Sequence, residues 1–255
     1  MKKPLLLHWS SSKPNFGDAL SPIICEAVSG RKIKYAKPSQ CDLIAIGSLM
    51  QRIRENLFTK RIHIWGTGFI EEQKPYNSKH IYHAVRGKHS KYTVTNSKPI
   101  ALGDPGLLAD LLIDKIISKK YKIGFIEHYK DKNNRTISHI VEKYPDTTTI
   151  DIYLPPLTFL ERVAECEIIF SSAMHGLIVA DSLGIPNAWV KLSDNLRGGN
   201  FKFQDYYSIF EMDAQSTILD INNILITAKS VADKYHRPNI DEIKKQLYAS
   251  FPHDT

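Results

Sequence analysis

Short apolar runs alternate, almost from one end of the chain to the other, with stretches whose apolar residues recur every three or four positions. That alternation predicts an α/β fold of parallel sheets with crossover helices. "LLLHW" (5–9), "KIKYA" (32–36), "LIAIG" (43–47), "IHIWG" (62–66), "IYHAV" (81–85) and "IALG" (100–103) read as strands. A helix is expected from Asp18 to Ser29 with Gly30 as its stop, and a shorter one over "PGLLADLLI", opened by Pro105. Past the connector "DKIISKKYK" the theme restarts. The strands "KIGFIEHY", "TTTIDIY", "EIIFSS" and "NAWVKL" alternate with the helices "TISHIVEKY", "PLTFLERVAEC" and "AMHGLIVADSLG", and helices over 219–235 and 239–250 close the chain on either side of Pro238.

The lysine-rich connector places a domain boundary near Ser118, giving a first domain over 1–117, a second over 118–235 and a terminal helical segment, 236–255, free to pack back on the first. Two doubly wound sheets facing each other would gather the loops after their strands around one cleft, so strand ends are where chemistry is expected.

Composition narrows the partners. The 34 Lys and Arg against 27 Asp and Glu give a net charge of +7, which suits an anionic ligand. The basic residues are scattered and no nucleic-acid motif is present, so nucleic acid is not the expected partner. The apolar run before His8 is too short for a signal peptide, and no stretch approaches the roughly 18 apolar residues of a membrane span. Cys25, Cys41 and Cys166 stand far apart in apolar settings, which predicts buried reduced thiols and a cytoplasmic setting. A lysine-rich surface also allows peripheral contact with the inner face of the membrane.

Several strand ends carry candidate chemistry. In "SSAMHGLIVADSLGIPNAWV" the strand ends near Ser171, Ser172 is placed to cap the helix, and His175 falls in its first turn, where N–H groups favour an anion and an imidazole can deliver a proton. The competing reading is a structural histidine. In "SSSKPNFGDAL" Gly17 permits close backbone approach, Asn15 offers donor and acceptor groups, and Asp18 serves equally as a cap or as a proton acceptor. Arg86 in "HAVRGKHS" ends a strand and could grip a carboxylate or phosphate, or form a surface ion pair. Asp104 in "GDPGLLA" is expected to cap the helix begun by Pro105. "KLSDNLRGGNFKFQDYYS" reads as a basic loop with Lys191, Arg197 and Lys202 running into an aromatic segment able to close on an anionic ligand or stack on a sugar. No P-loop, dinucleotide fingerprint, metal-ligand spacing or G-x-S-x-G nucleophile appears, so neither a metal, nor a cofactor, nor a covalent serine is expected.

In this order and at these intervals, "NFGDAL", "AVRGKHS", "GDPGLL" and "SSAMHGLIVADSLGIPNAWV" resemble the polysaccharide pyruvyl transferases, and "KFQDYY" resembles their shorter, xanthan-type ketal transferases. The resemblance implies two Rossmann-like domains arranged as in glycosyltransferases of the B type, phosphoenolpyruvate as co-substrate, and a sugar hydroxyl pair of a bacterial surface or exported polysaccharide as acceptor, free or lipid-linked. It puts the acceptor (Asn15, Gly17, Asp18, Asp104) on the first domain and the donor on the second. Arg86 and His175 fall on its donor-binding positions, with Ser172 beside them. Where relatives tend to carry a further donor-binding lysine this chain has Asn195, so Lys191 or Lys202 would take that role, and Gly87 stands where many relatives have an acidic residue. His175 is then the expected acid or phosphate stabiliser and Asp18 the expected base. The rival expectations are a nucleotide-sugar glycosyltransferase on the same architecture and a non-catalytic sugar-binding subunit of polysaccharide export.

Overall fold

The computed structural model describes residues 3–11, 15–53, 55, 58–95 and 100–255. Residues 12–14 of the "SSSKPNFGDAL" loop lie outside them. In chain order the elements are β1 (Leu5–His8), α1 (Phe16–Ser29), β2 (Ile33–Tyr35), β3 (Leu43–Ile44), β4 (His63–Trp65), β5 (Ile81–Val85), α2 (Lys88–Thr93), β6 (Ala101–Leu102), β7 (Tyr121–Ile126), α3 (Arg135–Lys143), β8 (Thr147–Thr149), α4 (Pro156–Ala164), β9 (Cys166–Ser171), α5 (Met174–Ser182), β10 (Asn187–Trp189), α6 (Phe201–Tyr207), α7 (Ile224–Lys234) and α8 (Ile240–Ala249).

The chain divides into two compact units: Met1–Leu108 with Arg197–Asp213 and Pro238–Thr255, and Ala109–Leu196 with Ala214–Arg237. Each unit holds one all-parallel sheet, as the alternating pattern predicts, in the orders β2-β1-β3-β4-β5-β6 and β10-β9-β7-β8. Renumbered within its own unit, each sheet begins 2-1-3-4, the second of the two common doubly wound orders rather than the dinucleotide-binding one. In both, the connections change direction between the first and third strands, β1 and β3 in one unit and β7 and β9 in the other, which opens a crevice at those strands' C-terminal ends. The central strands β1, β3, β7 and β9 are largely buried and mostly aliphatic, and Cys25, Cys41 and Cys166 are buried free thiols.

Three departures from the sequence pattern stand out, besides the shortening of several strands and a second unit that begins at Ala109 rather than 118. "LIAIG" forms a ladder only over Leu43–Ile44, because Gly47 at φ +107° turns the chain out of the sheet. The segment after Pro105 winds as a 3-10 helix, Pro105–Leu112, with Leu107 N–H bonded three residues back to the Asp104 carbonyl. "FKFQDYY", an aromatic segment expected within the second domain, is helix α6 and packs in the first unit, because Phe203, Tyr206 and Tyr207 bury there rather than beside β10.

The terminal helix also belongs to the first unit. α8 lies against β6, the Trp65 indole N–H donates to the Leu247 carbonyl at 2.9 Å, and the Phe251 ring meets the Trp65 ring edge-on at 4.8 Å. Among the described residues no helix is long and apolar enough to cross a membrane. Trp65→Phe keeps most of the apolar volume and removes the indole donor. It is expected to cost about 1 kcal/mol in urea unfolding and to speed amide exchange in α8 selectively; unchanged exchange there would show that the helix is held by other contacts.

Candidate functional site

In the first unit the β1/β3 crevice receives the start of α1. The Asn15 side chain is the cap, accepting from the Asp18 N–H at 3.0 Å, while its amide also donates to the Asp18 carboxylate. Capping therefore falls to Asn15 and leaves the Asp18 carboxyl available for other work. Burial pushes the Asp18 pKa up, opposed by hydrogen bonds from Asn15 and Ser10 and by the positive charges of Arg52 and Lys202. Gly17 is buried in the first turn of α1, and Gly47 brings the β3 loop so close that a Cβ there would lie 3.4 Å from Asp18 Oδ1.

At the ends of β4, β5 and β6 the same unit holds a buried polar network. Arg86, at the end of β5, is wholly buried. It donates from Nε to Asp205 Oδ2 at 2.9 Å, from Nη1 to Ser48 Oγ at 2.6 Å and from Nη2 to the Phe69 carbonyl at 2.5 Å, and its Nη2 lies 2.9 Å from Asp205 Oδ2. The carboxylate it grips is thus the protein's own, and neither a surface ion pair nor a direct grip on a donor is available to it in this arrangement. A Cβ at Gly68 would come within 2.6 Å of the guanidinium carbon, so the loop after β4 closes over the charge. Asp104 is also fully buried, which takes its side chain out of direct reach of an acceptor. Its Oδ1 accepts from Gly106 N–H at 2.9 Å, capping the segment opened by Pro105 as expected, and burial pushes its pKa up to about 7.

In the second unit the β7/β9 crevice receives the start of α5, and His175, half-buried, sits in its first turn. The expected cap is corrected: the helix begins at Met174 and Ala173 is its flanking residue. Ser171 Oγ accepts from Ala173 N–H at 3.0 Å, while Ser172 Oγ accepts from His128 N–H at 2.8 Å, tying the β9 and β7 loops together. Gly176 makes this start possible, because a Cβ would fall 2.5 Å from Ser171 Oγ and 3.0 Å from Ile126 Cδ1. The loop after β10 is bound to the β7 loop by Ser193 Oγ donating to Asp131 at 2.5 Å and Lys130 Nζ donating to the Asn195 carbonyl at 2.7 Å. Lys191 pairs with Asp194 at 2.6 Å on the surface of this unit, whereas Lys202 belongs to the first unit on α6.

The structure thus groups Asn15, Gly17 and Asp18, with the charge of Lys202, in the first unit, and Ser172 and His175 in the second; Arg86 and Asp104 are interior. Asp205 and Gly176 escaped the sequence reading. Gly176 was legible in principle, as a glycine directly after a strand-turn-helix histidine, whereas Asp205 is one carboxylate in an aromatic run whose partner lies 119 residues away. Two outcomes follow from this geometry. Gly176→Ala should displace the start of α5, lower Tm and disturb the His175 environment, visible in its imidazole NMR signals; an unmoved signal would refute the tight approach. Asp104 has its native pKa raised above the unfolded 3.8, so its native state binds the extra proton between about pH 4 and 7 and stability from this group falls as pH rises through that window. Asp104→Asn should remove that fall, so urea titrations at pH 5 and pH 8 should diverge less than in the unaltered chain; an equal divergence would contradict the buried, proton-holding carboxyl.

The chain is 30% identical over 223 residues to "Uncharacterized protein L143" of Acanthamoeba polyphaga mimivirus, covering 83% of this chain and 76% of that one. It is 24% identical over 214 residues to the succinoglycan biosynthesis protein ExoV of Rhizobium meliloti (strain 1021), covering 78% of this chain and 62% of ExoV. Among solved structures, an α-glucosyltransferase in complex with UDP superposes with a TM-score of 0.42 at 8% identity, over 97% of this chain and 94% of that one. The sequence profile described as polysaccharide pyruvyl transferase matches residues 5–194, well over half of the 255 residues, and the chain belongs to that family.

Proposed function

We propose that the protein transfers the pyruvyl group of phosphoenolpyruvate to two hydroxyls of a saccharide, forming a cyclic ketal and releasing phosphate. The observation that carries this reading is His175 in the first turn of α5, at the β7/β9 crevice of a chain in the pyruvyl transferase family. A helix start offers N–H groups and a positive dipole end to a phosphate, and an imidazole beside it supplies a proton near neutral pH.

In the proposed reaction the donor methylene takes a proton and its neighbouring carbon becomes oxocarbenium-like. One sugar hydroxyl adds there, the carbon–oxygen bond to phosphate breaks, and the second hydroxyl closes the ring. Of the two hydroxyl protons lost, one balances that taken by the new methyl group and the other leaves with phosphate. His175 is assigned as acid or phosphate stabiliser, with Lys191 as a cation of the same unit. Asp18 is assigned as acceptor-side base, since a carboxyl whose pKa burial raises is a better base near neutrality. Asn15 and Gly17 shape its surroundings, and Arg86 serves by holding the loops that frame the first unit's strand ends.

His175→Ala should reduce phosphate release from phosphoenolpyruvate in the presence of saccharide by roughly 100-fold or more, with circular dichroism and Tm unchanged; turnover within a few-fold of the unaltered protein would remove His175 from the mechanism. Asp18 acts when deprotonated, so kcat/KM should fall as pH drops through a pKa above the ordinary 3.8, and Asp18→Asn should abolish that acid limb along with most of the activity. An acid limb that survives Asp18→Asn would assign the base elsewhere.

A further inference from the structure

The first unit holds a cavity of about 440 Å³, a volume in the range of small-ligand sites. One wall is the turn after β2, with Lys37 and Pro38; the other is the connection from β3 to β4, with Arg52, Ile53, Lys60 and Ile62. Ile62 is 3% exposed and Ile53 packs against the same core, so the floor is apolar, while Lys37, Arg52 and Lys60 are exposed around it. Lys60 pairs with Asp42. Lys37 and Arg52 have no ion-pair partner among the described residues. Glu55, an acid of the same connection, is committed elsewhere: its carboxylate accepts from Ser78 Oγ and Lys79 N–H and lies 3.7 Å from His80 Nε2. Three cations thus share the cavity with a single carboxylate, and an apolar floor strengthens their pull on an anion.

Both walls start beside the crevice that carries Asp18. The Ala36 carbonyl accepts from His8 Nδ1 at 3.0 Å, which holds the turn after β2 against the end of β1. The other wall follows Gly47, where a Cβ would lie 3.4 Å from Asp18 Oδ1.

We propose that this cavity binds an anionic sugar, a uronate or a sugar phosphate, with Arg52 and Lys37 on its charge and Pro38, Ile53 and Ile62 against the apolar face of its ring. Beside Asp18, it selects a saccharide that carries a negative charge near the hydroxyls to be modified. That link to the acceptor rests on the pyruvyl-transfer reading; the cavity and its preference for an anion do not.

The test is a 15N–1H NMR titration of the full chain, at one fixed ionic strength, with glucuronate, glucose 6-phosphate, glucose and inorganic phosphate. At least one of the two charged sugars should bind about fivefold or more tighter than glucose and shift the amides of Ser39, Ile53 and Lys60. Tighter binding of glucuronate would identify the charge as a carboxylate, tighter binding of glucose 6-phosphate as a phosphate, and either supports the site. Arg52→Gln and Lys37→Met, both at exposed positions, should keep Tm unchanged and each weaken the charged sugar about fivefold, with little effect on glucose. Glucose bound as tightly as the charged sugars, inorganic phosphate bound as tightly as glucose 6-phosphate, shifts confined to other residues, or an affinity that survives both substitutions would each overturn the proposal. Absence of phosphate release from phosphoenolpyruvate by the unaltered protein would refute the reaction instead and leave this titration to be judged by itself.

Discussion

A guanidinium taken wholly out of water has to be paired, since an uncompensated buried charge costs several kcal/mol. Arg86 meets that demand with Asp205, Ser48 and the Phe69 carbonyl. Much of the first unit's layout follows from this pairing. The counter-charge comes from a point in the chain after the whole second sheet has been built, so residues 197–213 return to the first unit to supply it. Glycines at 68 and 87 clear the space around the pair, and Ser90 at the start of α2 satisfies the remaining carboxylate oxygen. A structural ion pair and its packing thereby fix the loops after β3, β4 and β5.

The two sheets solve the same problem with different residues. Each begins with the same strand order, and each brings a helix start to the crevice where that order changes direction. In the first unit a capped helix start holds a carboxyl, Asp18, raised by burial and moderated by nearby cations. In the second the helix start has no side-chain cap and holds an imidazole, with Gly176 admitting close approach to β9. The first unit thus presents a carboxyl at its helix start and the second an imidazole, two groups of opposite proton-transfer character.

How much of this was legible in the sequence depended on the range of the interaction. Strands of Leu, Ile and Val, Gly30 at φ +64°, and the strand-turn-helix around His175 are local, and local pattern revealed them. So was the role of Asp104, whose capped N–H lies two residues on. The side-chain environment of Arg86 was not, because a strand-end arginine looks the same whether it faces solvent or a carboxylate 119 residues away. The same limit hid α6: "FKFQDYY" has a helix's aromatic spacing but follows a loop with two glycines, and only its docking in the first unit decides the outcome. Ser172 illustrates a finer failure, since a one-residue shift in the start of α5 hands local bonding to Ser171 and turns Ser172 towards His128.

The proposed reaction stands or falls on whether phosphoenolpyruvate binds at the helix start that carries His175. Calorimetric titration of the full chain with phosphoenolpyruvate, and separately with UDP- and GDP-sugars, tests it most directly. Phosphoenolpyruvate should bind saturably, inorganic phosphate should compete it away, and His175→Ala should weaken it at least tenfold. Binding of a nucleotide sugar with no binding of phosphoenolpyruvate would contradict it.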